Sequence, residues 1–127
     1  MRFKKGYEIS LNRVHDTIKI KENGETLTLT VNADPMRMVS GLNKAQEKLK
    51  ALVTVEDGGG EPSENEIKET AEYFAAVIFG AEQARALMDF YANDAGCIIN
   101  VCGKYFRERL GAKISAVQKR AAQTAKK

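Results

Sequence analysis

Ile18-Lys19-Ile20-Lys21-Glu22-Asn23-Gly24-Glu25-Thr26-Leu27-Thr28-Leu29-Thr30-Val31 is the stretch on which the reading of the fold turns. Apolar and polar residues alternate on both sides of Asn23-Gly24, and a period of two is the pattern of strands buried on one face. Asn-Gly suits a two-residue type I′ turn, because both positions tolerate positive φ. Folding about that turn sets Ile20 opposite Leu27 and Ile18 opposite Leu29, so apolar side chains share one face while Lys and Thr share the other. A slip of one residue would turn the apolar set outward, so turn and pattern specify the same register. Upstream, Tyr7, Ile9 and Leu11 alternate with Glu8, Ser10 and Asn12. This extends the β-hairpin to a three-stranded antiparallel meander over residues 1–33, with Arg13-Val14-His15 as the turn into its second strand.

Downstream the period changes. Asp34-Pro35 reads as an N-cap with proline at the first helical position, and Met38, Leu42, Ala45, Leu49 and Leu52 recur at helical spacing. The spacing predicts an amphipathic helix over 34–53. Asp57-Gly58-Gly59-Gly60-Glu61-Pro62 cannot continue it, and 54–62 reads as a flexible linker. The glycines lack the lysine and Ser/Thr that a phosphate loop needs.

The helical region runs over 63–124. Ser63 and Glu66 form a capping box, and Ile67, Ala71, Phe74 and Ile78 make the stripe of a helix that Gly80 ends. A shorter helix carries Ala84, Leu87, Met88 and Tyr91, and Asn93-Asp94-Ala95-Gly96 marks the next break. In the last helix Ile99, Phe106, Leu110, Ile114, Val117 and Ala121 form one stripe that also includes Gly103. Ile98, Cys102 and Tyr105 widen its first half. The second half has only a narrow seam flanked by Arg109, Lys113, Lys119 and Arg120, and reads as a projecting helix whose seam awaits a partner. Tyr105, Arg109, Leu110, Lys113, Ile114 and Val117 are therefore the candidate partner-binding residues. The fold class expected is α+β and mostly helical, a small N-terminal antiparallel sheet followed by four helices. At 127 residues with 43% hydrophobic content, the chain suffices for one core, which makes 1–127 a single domain.

Catalytic and metal chemistry find little to work with. His15 is the only histidine and is expected in a turn beside Asp16, a solvated position. There is no Gly-x-Ser-x-Gly, His-Glu-x-x-His or Cys-x-x-Cys arrangement. The expected chain is not an enzyme, and no cofactor or metal is implied. Cys97 and Cys102, five apart on one helix, point to different sides and read as reduced apolar residues of a cytoplasmic protein. The basic N-terminus lacks the apolar run of a signal peptide, and no stretch approaches a membrane span.

Charge is distributed unevenly. Between Glu56 and Glu72 stand seven acidic residues and one lysine; from Lys104 to Lys127 stand eight basic residues and only Glu108. Acid at a helix start and base at a helix end complement the helix dipole. The acidic run lacks the alternating ligand spacing of a calcium loop. Eight cations could follow a phosphate backbone, with Tyr105 and Phe106 stacking on bases. On a helical projection, however, the cations spread around the polar arc while both aromatics lie on the apolar side.

A small sheet, a helix, an acidic Gly-rich linker and a helical region containing Ala75-Ala76-Val77-Ile78-Phe79-Gly80-Ala81-Glu82-Gln83-Ala84 follow in that order. This layout resembles the tail assembly chaperones of long-tailed bacteriophages and prophages, in which a helix commonly ends in an aromatic-glycine-acidic junction of the kind formed by Phe79, Gly80 and Glu82. The resemblance spans most of the chain in layout and rests on that junction as its motif. It implies a cytoplasmic protein of the infected cell, absent from the mature virion, that binds the tape-measure protein while tail-tube protein polymerises around it, and it implies self-association. The strongly basic end has no counterpart in the family pattern. Two alternatives stand beside it: a nucleic-acid-binding protein that uses the basic C-terminal helix, and a structural component of the phage head or tail.

Overall fold

The computed structural model describes residues 13–54 and 63–125. Strands β1 (Val14–Glu22) and β2 (Glu25–Ala33) form an antiparallel pair. Ile20 faces Leu27 and Ile18 faces Leu29, the register that turn and pattern require. Asn23 and Gly24 both have positive φ, 50° and 80°. The expected first strand over Tyr7–Leu11 lies outside the described residues, as does the expected 54–62 linker apart from Thr54, which is the last residue of the first helix. Val14 and His15 belong to β1, paired with Ala33 and Asn32, so the expected turn at Arg13-Val14-His15 is a strand start instead. Arg13 helps to hold that start, donating from Nε to the Asn32 side chain at 2.6 Å.

Four helical segments follow, the last interrupted by a π turn. Helix α1 (Pro35–Thr54) begins at Asp34, whose side chain accepts from the Arg37 N–H. Helix α2 (Glu64–Phe79) opens on the Ser63/Glu66 capping box, both of whose hydrogen bonds are present. Gly80, at φ 89° and ψ 158°, ends α2, and α3 (Ala81–Phe90) starts at the next residue. Asp94 caps α4 (Ala95–Tyr105), so Ala95 and Gly96 are its first turn and the break is confined to 91–94. Phe106–Leu110 form the π turn, and α5 (Gly111–Ala125) completes the described chain.

One continuous set of buried residues ties the hairpin to all the helices. Val14, Leu29 and Val31 of the hairpin share it with Met38 and Ala45 of α1, Phe74 and Ile78 of α2, and Leu87 and Met88 of α3. Helices α1 and α2 approach closely where Gly41 meets Val77: a Cβ at position 41 would lie 2.8 Å from a Val77 methyl. No helix among the described residues is long and apolar enough to cross a membrane.

Candidate functional site

Asp16 stands on the inward face of β1, in line with Val14, Ile18 and Ile20, where an apolar residue would be expected. A carboxylate on a core face needs donors, because desolvating an unpaired charge is costly. The C-terminal helix supplies them. Asp16 Oδ2 accepts from the Tyr105 hydroxyl and from Arg109 Nε, each at 2.7 Å; Oδ1 accepts from the second guanidinium nitrogen at 2.7 Å and from the Thr17 N–H at 2.9 Å. The Arg109 fork is bidentate, the strongest geometry for this pair. Only 3% of the Asp16 side chain is exposed, against 55% of Arg109.

Burial by itself would raise the Asp16 pKa, but the bonds from Arg109, Tyr105 and Thr17, with the nearby Lys113 charge, outweigh it and hold the carboxyl below its ordinary value. Tyr105 is pushed the other way, above the ordinary phenol range, by burial and by the carboxylate it donates to. With four donors on one covered carboxylate, this group is a clasp between strand and helix. His15 lies on the outward face of the same strand and is exposed, so His15 and Asp16 are not brought together as a pair.

The seam is not open. Leu110, Ile114 and Val117 are 0%, 5% and 4% exposed and belong to the core, so α5 packs back instead of projecting. Of the six candidate partner-binding residues, those three are buried, Tyr105 and Arg109 are engaged by Asp16, and Lys113 is half-buried.

The reason lies between Tyr105 and Leu110. The buried positions are Ile98, Cys102, Tyr105, Leu110, Ile114 and Val117, with one step of five where a regular helix would take three or four. The π turn absorbs the extra residue, its closing bond running from the Gly111 N–H to the Phe106 carbonyl. A straight helical period drawn through this region aligns Leu110 with Ile99 and Phe106. In the structure Ile99 is half-buried and Phe106 is 38% exposed.

The helix junction is where expected. Phe79 is buried and stacks on Tyr105, ring centroids 5.9 Å apart; Glu82 is exposed in the first turn of α3. The residue that sequence reasoning missed here is Gln83. Its amide nitrogen donates to the Phe79 and Thr30 carbonyls, each at 2.7 Å, and its oxygen accepts from the Thr30 N–H at 2.8 Å. Gln83 thus occupies both outward backbone groups of Thr30, as a neighbouring strand would. Asp16 is the other residue missed, although its signal is present in the sequence: a carboxylate in phase with the apolar positions of a strand.

Other features are modest. Lys48 lies over the Tyr73 ring at 5.2 Å. Cys97 and Cys102 are free thiols, and burial pushes the Cys102 pKa up to about 12. A cleft of about 180 Å³ is lined by Leu42, Gln46, Leu49, Phe74 and Phe106. A wider polar one lies between the start of α2 and the 92–95 segment. Among the described residues no group of three or more His, Cys, Asp or Glu is placed to hold a metal. Set against protein-family models, curated proteins and solved structures, the chain finds no match.

Proposed function

We propose that the chain is a non-catalytic tail assembly chaperone of a long-tailed phage or prophage, which binds the tape-measure protein during tail-tube assembly. The observation that carries this reading is the junction at Gly80, where α2 stops and α3 restarts within one residue, set in the order hairpin, α1, then the remaining helices. The junction is also structurally anchored, since Gln83 ties it to the hairpin and Phe79 ties it to the C-terminal helix. In this reading the protein acts in the host cytoplasm and leaves before the virion is complete.

The buried seam moves the expected contact surface. Among the described residues, the exposed large hydrophobics are Met36, at 72%, and Phe106. Co-expression with the tape-measure and tube proteins of a neighbouring locus is the direct test. Co-purification, or a gain in soluble tape-measure protein, is expected; failure of both sinks the proposal. Engagement of Arg109 by Asp16 reduces the cation array that a nucleic-acid-binding reading would use. In a salt titration against single-stranded and duplex DNA, the chaperone reading expects no steep loss of binding with salt.

A further inference from the structure

The C-terminal helical region carries two apolar registers in one sequence, and the structure uses the one that requires a π turn. At 100° per residue, Ile99, Gly103, Phe106, Leu110, Ile114 and Val117 fall on a single narrow stripe of an unbroken α-helix. In the structure α4 instead turns Ile98, Cys102 and Tyr105 to the core, while Leu110 at the end of the π turn and Ile114 and Val117 of α5 turn to it. These two sets lie one residue, or about 100°, apart on a straight helix, and the π turn at 106–110 makes up the difference.

Backbone hydrogen bonding and side-chain burial therefore favour different states. A regular α-helix through 105–110 would restore the usual four-residue bonds. It would also rotate Leu110, Ile114 and Val117 away from the core and into line with Phe106. Tyr105 and Arg109, four apart, would share a face on a regular helix too, so what Asp16 resists is the departure of that face from β1: its carboxylate holds Tyr105, just before the turn, and Arg109, within it. The clasp is reached from solvent on its Arg109 side.

We propose that α5 is a releasable arm, with the π turn as its hinge and the Asp16–Tyr105–Arg109 group as its latch. When the latch opens, the turn relaxes to α-helix, α5 leaves the core, and its apolar stripe extends the line begun by Ile99 and Phe106. Release of the arm does not depend on the chaperone reading.

Residue-resolved hydrogen exchange on the full chain tests it, comparing wild type, Asp16→Asn and a deletion of Glu108, an exposed residue of the π turn. In wild type, amides of 106–120, carried in the released arm by a short solvated helix that frays, should exchange through an opening that leaves 64–90 protected. D16N should speed exchange of 106–120 by roughly fivefold and that of 64–90 by about the same factor, because the open arm and the unfolded chain both lack the latch. Deleting Glu108 sets Leu110 four residues after Tyr105, which makes the core register and the α register coincide. The deletion also moves Arg109 relative to Tyr105, so it is compared in the D16N background, where exchange at the same amides should fall below that of D16N alone. The proposal is overturned if wild-type 106–120 opens only with the whole molecule, or if D16N accelerates 64–90 and leaves 106–120 unchanged. Faster exchange of 106–120 in a folded D16N chain lacking Glu108 than in D16N alone would overturn it as well; if that deletion does not fold, the wild-type and D16N profiles decide.

Discussion

Asp16 draws its pH behaviour from competing effects: burial raises its pKa, while the bonds from Arg109, Tyr105 and Thr17 lower it further than burial lifts it. A carboxyl with a folded pKa below its unfolded one contributes stability that is fully present above the unfolded value and disappears as pH falls through the folded value. Asp16 should thus add a constant amount at neutral pH and lose it progressively below about pH 5. Glu66, held low mainly by the Ser63 N–H, loses its contribution in the same direction, so the measurement is a difference. In urea titrations D16N should cost about 1 kcal/mol at pH 7, and the gap to wild type should close toward pH 2. Backbone strain gives a second pair of outcomes at this scale. Gly80 has open space where a methyl would stand but a φ of 89° that side chains rarely adopt, so Gly80→Ala should destabilise by about 1–3 kcal/mol through conformation alone. Ala92 already sits at φ 52°, and Ala92→Gly should stabilise by about 0.5–1 kcal/mol; thermal melts of both variants check the opposite signs.

At the scale of elements, those with self-contained signals were legible. The hairpin register followed from Asn23-Gly24 and the alternation around it, and α2 followed from Ser63, Glu66 and Gly80. Each of these signals lies within the element it defines. The π turn has no such local mark, because Tyr105 to Leu110 reads as ordinary helix and the extra residue shows only when both ends are held against one core. Helical period carried straight through it makes Phe106 a core residue and leaves the seam of α5 without a neighbour. Burial reverses that assignment and gives a direct measurement. Leu110→Ala should cost about 2–4 kcal/mol in urea denaturation, whereas Phe106→Ser should cost less than about 1 kcal/mol. Equal, small effects at both positions would mean that the seam is not packed as described.

For the whole molecule, the observed class is the expected one, a two-stranded antiparallel pair followed by four helical stretches around one core, with the first strand and the linker outside the described residues. Long-range pairings were the part that local reading could not supply. Asp16 with Arg109 and Thr30 with Gln83 join residues 93 and 53 positions apart, and each depends on how the helices pack over the sheet. Gly41 shows the same dependence, since nothing near it in sequence explains a glycine inside α1. Gly41→Ala should lower the melting temperature, and adding Val77→Ala should recover part of the loss by making room for the new methyl. This contact also imposes an order on change. Val77 can shrink first at the cost of a small gap, but Gly41 cannot grow first unless the Val77 side chain gives way. Sequence drift across the α1–α2 contact therefore has a one-way gate, and descendants of this chain with alanine at 41 are expected to carry a smaller residue at 77.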